Sequence, residues 1–443
     1  MERLTRHPRH RAQGAKRRQD DGSLGVRIRS ARLAAGLSQA DLAGAHFTKG
    51  FISQVELGYS RPSLASLQLL AARLGHDAEY FMRGDPALAP RRLAVHLAAA
   101  EAAHASKDWA ALERHVAAAA SESPDERSQV KLARFQADAA LAVGKAEDAL
   151  HNAELGLSLV ARVPDAMEEA HLRYAKARAS ILLDDLVTAL AILEDLRDVL
   201  ERSELADPVL RASVFVSLGT TYRRLNRGNK ALAMFEAALG TAMKSSRLDV
   251  AGRAQYGIGG TLADAGESEA AIGAYRRALR FFERAEEEEL ERRVLHNLSL
   301  EYFKSGRVRE AGELAERLLE RATALGDASA AGKALVTLSR VALHEGDTAR
   351  AIATAEDARA RLAELGNDVE EAEALLVLGA ARHSAGDSDA SDAAYRTAIE
   401  MLDPIYRANY ARACSEYAER LHERGRTDEA YRYLRLGHAK ATS

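Results

Sequence analysis

The side chains with the most evident chemistry lie between Leu37 and Pro62, in LSQADLAGAHFTKGFISQVELGYSRP. Gln39, Lys49, Gln54 and Arg61 bring amides and cations, with the hydroxyls of Thr48, Ser53, Tyr59 and Ser60 among them. A lysine can donate to guanine O6/N7 and a glutamine can pair with adenine N6/N7. Arginine, hydroxyl and helix-end N–H groups suit phosphate oxygens. Catalytic spacings are absent from the chain. There is no HExxH, no GxxxxGK[ST], no GxGxxG ahead of a helix and no nucleophile elbow. The 14 histidines are scattered. Catalysis has no foothold, and an enzyme is not expected.

The elements that must position these groups are short helices. One opens at Ser38-Gln39, a tight loop passes through Ala45-His46, and a second helix opens at Thr48 and stops at Gly58. A Ser/Thr cap begins each helix and a glycine ends the second, as free helix-end N–H and C=O groups require. This is a helix-turn-helix pattern, with nucleic acid as the leading partner. A preceding helix from Ser23 to about Ala35 ends at Gly36, with Leu24, Ile28, Ala31 and Leu33 read as one apolar side. Ser63 caps a fourth helix, Leu64 to Leu74, and a fifth covers Asp77–Met82. Leu42, Ile52, Val55, Leu67, Leu70, Leu74 and Phe81 complete one small core.

Charge is distributed to match. The whole chain of 443 residues carries a net charge of −3. Residues 1–85 hold 14 Lys/Arg against 8 Asp/Glu, and the remainder 48 against 57. A basic head on an acidic body suits a DNA reader with a separate module. Residues 1–22 carry seven arginines and lysines with almost no apolar residues, and are read as a disordered basic arm. Two roles stand for it: a contact to DNA phosphates or the minor groove, or a solvated leader. The single Cys414 excludes an internal disulfide framework and is read as a packed thiol. The setting expected is reduced and cytoplasmic. No apolar run reaches the ~20 residues needed to span a bilayer, no signal peptide is expected, and no cofactor or metal is implied.

The stretch Leu24–Met82 resembles the Cro/C1-type (XRE) phage-repressor helix-turn-helix family. The residues that carry the resemblance are Arg32, the corner Gly36-Leu37-Ser38-Gln39, Leu42-Ala43, the run Ile52 to Glu56 with Gly58, Arg61-Pro62-Ser63, and Leu67 through Leu74. It implies a five-helix, lambda-repressor-like domain over residues 23–85. It also implies that Arg32 pairs with Glu56 as an internal brace. The base readers carried over by position are Thr48, Lys49, Gly50 and Gln54, with Ser53 nearby. Gln39 is placed to clamp a phosphate, and Tyr59, Ser60 and Arg61 to contact the backbone. Gly50 reads nothing by side chain and departs from members with a long polar residue there. Phe51 is read as partly packed.

After a junction from Gly84 to Pro90 the chain repeats, over residues 86–443. Glycines at 144, 228, 266, 306, 346, 386 and 425 each sit between two helical runs, and Asp184-Asp185 stands in for one more. A small residue follows each: Ala149, Ala189, Ala231, Ala271, Ala311, Ala351, Ser391 and Ala430. Units such as SLGTTYRRLNRGNKALAMFEAAL resemble the tetratricopeptide (TPR) pattern, with the period lengthened from about 34 residues to about 40 by extra residues placed between repeats, in segments such as Ala285–Glu288 and Gly326–Ser329, where they would lengthen the helices. The fold class expected is all-α, a small head followed by a TPR α-solenoid of nine helix pairs with a concave inner surface. Aligning on the turns puts Arg223, Arg224, Tyr256, Arg293, His296, Asn297, Lys304, Lys333, Thr337, Arg340, His344 and Arg412 on the inner face. That basic and polar set suits a small anionic ligand or a peptide carboxylate, with Asn297 able to bond a peptide backbone in both directions. The run Glu286–Glu289 with Glu291 is read as a solvated loop and helix start. Gly257–Gly260 (GIGG) is read as a close-packing spot.

Head and array together resemble the peptide-sensing regulators of bacterial quorum sensing, the RRNPP group. The resemblance implies a homodimer whose array binds a signalling peptide and whose two heads bind an inverted-repeat operator in double-stranded DNA. A different class of function fits the same residues: a TPR interaction scaffold that the head recruits to DNA.

Overall fold

The computed structural model describes residues 24–82, 89–202, 207–366, 368–402 and 407–442. The basic arm read over residues 1–22 and most of the junction from Gly84 to Pro90 lie outside them. The chain divides into two compact units, residues 1–183 and 184–443. The division therefore falls within the repeats and leaves the head and the first repeats in one unit.

The first unit begins with α1 (Leu24–Ala34), α2 (Gln39–Ala43), α3 (Lys49–Glu56), α4 (Leu64–Arg73) and α5 (Ala78–Met82). Local chemistry sets each boundary. Ser38 and Asp41 form a reciprocal capping box on α2, and the Thr48 and Ser63 hydroxyls accept the third-residue N–H of α3 and α4. Gly36, Gly58 and Gly75 take positive φ where α1, α3 and α4 stop. The predicted inward set, Ile28, Leu42, Ile52, Val55, Leu67, Leu70, Leu74 and Phe81, is buried as one cluster with Met82. Leu33 corrects the sequence reading. It is 60% exposed, because one helical step past Arg32 turns it away from the core. The unit continues with α6 (Ala89–Ala105), α7 (Trp109–Ala120), α8 (Glu126–Ala142), α9 (Ala146–Val160) and α10 (Ala166–Leu182).

The second unit holds α11 (Leu186–Arg202), α12 (Pro208–Arg224), α13 (Gly228–Lys244), α14 (Leu248–Asp264), α15 (Ser268–Ala285) and α16 (Glu288–Lys304). It goes on through α17 (Val308–Ala324), α18 (Ala328–His344), α19 (Thr348–Ala363), α20 (Asp368–Ser384), α21 (Ser388–Leu402), α22 (Arg407–Glu423) and α23 (Thr427–Thr442). From α6 onward the described residues form eighteen helices; eight of the nine pairs expected pack within a unit, α6–α7, α8–α9 and α12–α13 through α22–α23, while α10 and α11 fall on either side of the division. The repeat length has a simple origin: α12, α13 and α14 are each 17 residues long, and three residues join each to the next. Two such helices and two such connections fill a 40-residue period, so the added length lies in the helices themselves, and the segments between repeats at 285–288 and 326–329 are no longer than the other connections.

The turns correct one position. Gly266, Gly306, Gly346, Gly386 and Gly425 have φ of 77–80°, and Asp184 stands at 63° in its turn. Gly228 does not share this role. It opens α13, and Asn226 (φ 55°) takes the left-handed place, asparagine being among the few other residues that tolerate it. Within each unit, the small residue after a turn is where the second helix of a pair presses on the first. Ala149, Ala189, Ala231, Ala271, Ala311, Ala351 and Ser391 are all completely buried. The GIGG run is a packing device, as read. A Cβ on Gly257 would collide with the Phe235 ring, and one on Gly259 with Tyr275. In the second unit the first helices of successive pairs touch at α12–α14, α16–α18, α18–α20 and α20–α22. This puts first helices on the tighter, concave side. Between α14 and α16 the approach is weakest.

Candidate nucleic-acid interface and inner-face cleft

The head is organised around one buried ion pair. Arg32 on α1 meets the last residue of α3, with Nε donating to Glu56 Oε1 at 2.6 Å and Nη2 to Oε2 at 3.0 Å. Its Nη1 donates to the Leu37 carbonyl at 2.8 Å, fixing the corner into α2. Gln39 joins the same group, with Nε2 donating to Glu56 Oε2 at 2.8 Å. Burial alone would raise the Glu56 carboxyl. The hydrogen bonds from Arg32 and Gln39, and the charges of Arg32 and Arg29, instead hold it below the usual carboxylate range. The pairing of Arg32 and Glu56 is present as expected. That Gln39 lends one amide proton to it was missed, because the partner lies 17 residues away. Gly25 was missed too: a Cβ there would collide with the carbonyls of Val55 and Glu56, so α1 crosses the end of α3 at close range.

This brace presents α3. Ile52, Val55 and Glu56 face inward, and Thr48, Lys49, Gly50 and Gln54 are exposed. Positions 49, 50, 53 and 54 share one helical side. Ser53 is half-buried within it. Thr48 uses its hydroxyl to cap Phe51 N–H at 3.1 Å. A Cβ on Gly50 would meet nothing nearer than Thr48 Oγ1 at 3.8 Å, so packing does not require glycine there. Phe51 is partly packed and stacks on Phe47 at 5.3 Å. Beyond the helix, Tyr59 is 81% exposed, Arg61 is exposed and Ser60 half-buried. The backbone N–H groups of Tyr59 and Ser60 both return to the Gln54 carbonyl, at 2.8 and 3.1 Å.

In the second unit the structure brings together five of the twelve inner-face candidates. Tyr256 from α14, Arg293, His296 and Asn297 from α16, and Lys333 from α18 line a cleft of ≈ 360 Å³. It lies where α14 and α16 stand apart. Asn297 Nδ2 donates to the Tyr256 hydroxyl at 2.8 Å, and the Arg293 guanidinium lies over the Tyr256 ring at 5.6 Å. His296 Nδ1 is buried with no hydrogen-bond partner. Burial first, then the charges of Lys333 and Arg340, push its imidazole down to about 3, so it is neutral at ordinary pH. Glu289, Arg292, Asp327 and Ser329 also line the cleft and were missed. Glu289 and Arg292 could have been found: with 293, 296 and 297 they make a single helical stripe.

The other candidates are placed elsewhere. Thr337 is fully buried and turns its hydroxyl back toward the Lys333 carbonyl, so it is not an inner-face contact. Arg223 lies 3.5 Å from Asp264 and rests in the space left by Gly260, outside the cleft. Arg340 pairs with Glu373 at 2.8 Å, and Arg412 pairs with the same carboxylate. Lys333 pairs with Glu370, Lys304 with Glu301 at 2.7 Å, Arg224 with Asp184 at 2.7 Å, and Arg292 with Asp327 at 2.9 Å. The inner face is thus not the basic trough that the first helices alone suggested. Most of its cations are already matched by carboxylates, many supplied by a neighbouring helix pair. Among the described residues no group of His, Cys, Asp and Glu could hold a metal, and no helix is long and apolar enough to cross a membrane.

Comparison with known proteins agrees with the fold of the head and of the helical array. The helix-turn-helix family profile matches residues 28–81. No curated protein matches the sequence. Among solved structures, the apo form of RapI superposes with a TM-score of 0.63 at 16% identity, over 79% of this chain and 98% of that one. A Rap protein complexed with competence and sporulation factor gives 0.59 at 15% identity, over 80% and 99%. The apo form of the quorum sensor NprR from B. thuringiensis gives 0.51 at 14% identity, over 71% and 99%. At these identities the likeness is one of fold. Residues 28–81 are a helix-turn-helix domain of the XRE type, set ahead of a tetratricopeptide-like helical array.

Proposed function

We propose that this protein is a sequence-specific, DNA-binding transcriptional regulator of cytoplasmic location whose array senses a small ligand and dimerises. The head over residues 23–85 reads DNA, and the array over 86–443 controls it. The observation that carries the reading is the side of α3 formed by Lys49, Gly50, Ser53 and Gln54, held outward by the buried Arg32–Glu56 pair. Lys49 and Gln54 read base edges, with Thr48 at the helix start. Gln39, Tyr59, Ser60 and Arg61 meet the DNA backbone, and two heads of a homodimer occupy an inverted repeat.

A signalling peptide is the ligand class we favour for the array. Two observations support it. The cleft offers the Asn297 carboxamide beside Tyr256, the neutral His296 and the Arg293 cation, groups that suit a peptide backbone and a single carboxylate. The fold is also that of a Rap protein solved with competence and sporulation factor, and of the quorum sensor NprR.

Replacing Lys49 and Gln54 together with Ala is expected to abolish specific operator binding while the array stays folded. Retained specificity overturns the site assignment. A cognate peptide is expected to raise the melting temperature of the intact chain and not of an Asn297→Ala variant. An equal rise in both overturns the cleft.

A further inference from the structure

We propose that α6, formally the first helix of the array, is a working part of the DNA head, and that Arg91 on it positions the segment Tyr59–Arg61 for DNA backbone contact. The inference rests on the reading of the head as a DNA binder.

Arg91 Nη1 donates to the Pro62 carbonyl at 2.7 Å. Pro62 is buried and directly follows Arg61, and Ser63 after it caps α4. The segment Gly58–Pro62 is therefore held at both ends. At its start, the Tyr59 and Ser60 N–H groups bond the Gln54 carbonyl at the end of α3. At its finish, a guanidinium from α6 fixes the Pro62 carbonyl. A charge-assisted bond of this kind is roughly twice as strong as a neutral one. Between these anchors the Tyr59 and Arg61 side chains stand exposed.

Arg91 can act as a fixed point because α6 is itself locked to the head. The neighbouring Arg92 is buried, and its Nη1 donates to the Met82 carbonyl at the end of α5 at 2.5 Å. The same guanidinium makes two parallel bonds to Glu122, at 2.8 and 2.6 Å, just past α7. One turn on, Val95 packs against the head's apolar cluster. His96 Nε2 lies 3.8 Å from Glu79 Oε1 on α5. Carbonyl, carboxylate and apolar contacts thus fasten the same face of α6 to the head. Displacement of the first helix pair would move the Pro62 carbonyl and the segment before it.

The test uses the full chain and the best DNA site found for the unaltered protein. Arg91→Met keeps the aliphatic stem and loses the donors. We expect it to weaken specific DNA binding on the order of tenfold, the loss of one charge-assisted hydrogen bond. The dependence of affinity on salt and the melting temperature should not change, and Arg91→Lys should recover part of the loss. Unchanged affinity overturns the proposal. So does a salt slope reduced by about one, which marks a direct phosphate contact. A loss that appears only with a lowered melting temperature also overturns it, since Arg91 would then be structural. If the unaltered chain selects no DNA sequence, the DNA-binding reading fails, and this inference with it.

Discussion

Arg32 and Glu56 show how much one pair can set. Their side chains are 8% and 3% exposed, so removing either leaves a charge buried without its partner. Arg32→Ala is expected to destabilise the head by about 3 kcal/mol, read from denaturant unfolding followed in the head. The Glu56 carboxyl is held below its usual range, so its contribution is present above the unfolded value and is lost as pH falls through the folded one. His296 works with the opposite charge and the same slope. Its folded value is about 3 against 6.5 for the free side chain, so below pH 6.5 the unfolded chain binds a proton that the folded chain refuses. Stability of the second unit should drop between pH 7 and 5 by on the order of 1–2 kcal/mol, and His296→Asn should flatten that drop in urea titrations. Gly50 has no packing partner to satisfy. Gly50→Ala should stabilise the head by up to ~1 kcal/mol through helix propensity, and any loss of DNA affinity in that variant then belongs to the interface.

At the scale of the element, the repeat is a helix pair with a left-handed residue in the turn and a small residue one turn later. Gly306→Ala meets open space, so its cost is conformational alone, about 1 kcal/mol at φ 77°. Ala311→Leu puts a large side chain where no surface is exposed, and should cost about 1–3 kcal/mol by forcing α16 and α17 apart. Comparing the two variants by thermal melting separates turn strain from packing. Asn226 explains why glycine spacing alone misplaced one turn. The requirement is a left-handed residue, which asparagine also meets, and Gly228 nearby is an ordinary first residue of α13.

For the whole molecule, the charge balance favours a division of labour between a basic head and an acidic array. Affinity for DNA should fall steeply with salt, and deleting residues 1–22 should reduce that slope if the arm touches phosphates. An unchanged slope assigns the arm no contact. Neutralisation of the inner face makes a related point about ligands. With Lys333, Arg340 and Arg412 held by Glu370 and Glu373, Arg293 over the Tyr256 ring is the cation we propose for a ligand carboxylate.

The sequence by itself determined what depends on short range. Caps at Ser38, Thr48 and Ser63, stops at Gly36, Gly58 and Gly75, and the small residues after each repeat turn all follow from neighbours within a turn or two. The helix-turn-helix and the exposed side of α3 were legible for that reason. Tertiary structure alone decided which polar groups are spent on one another. Gln39 on Glu56, Arg223 on Asp264, Lys333 on Glu370 and Arg91 on Pro62 join residues 17 to 41 positions apart. A charge on a helix face is visible in the sequence. Whether a carboxylate from a neighbouring element reaches it is set by how the helices pack.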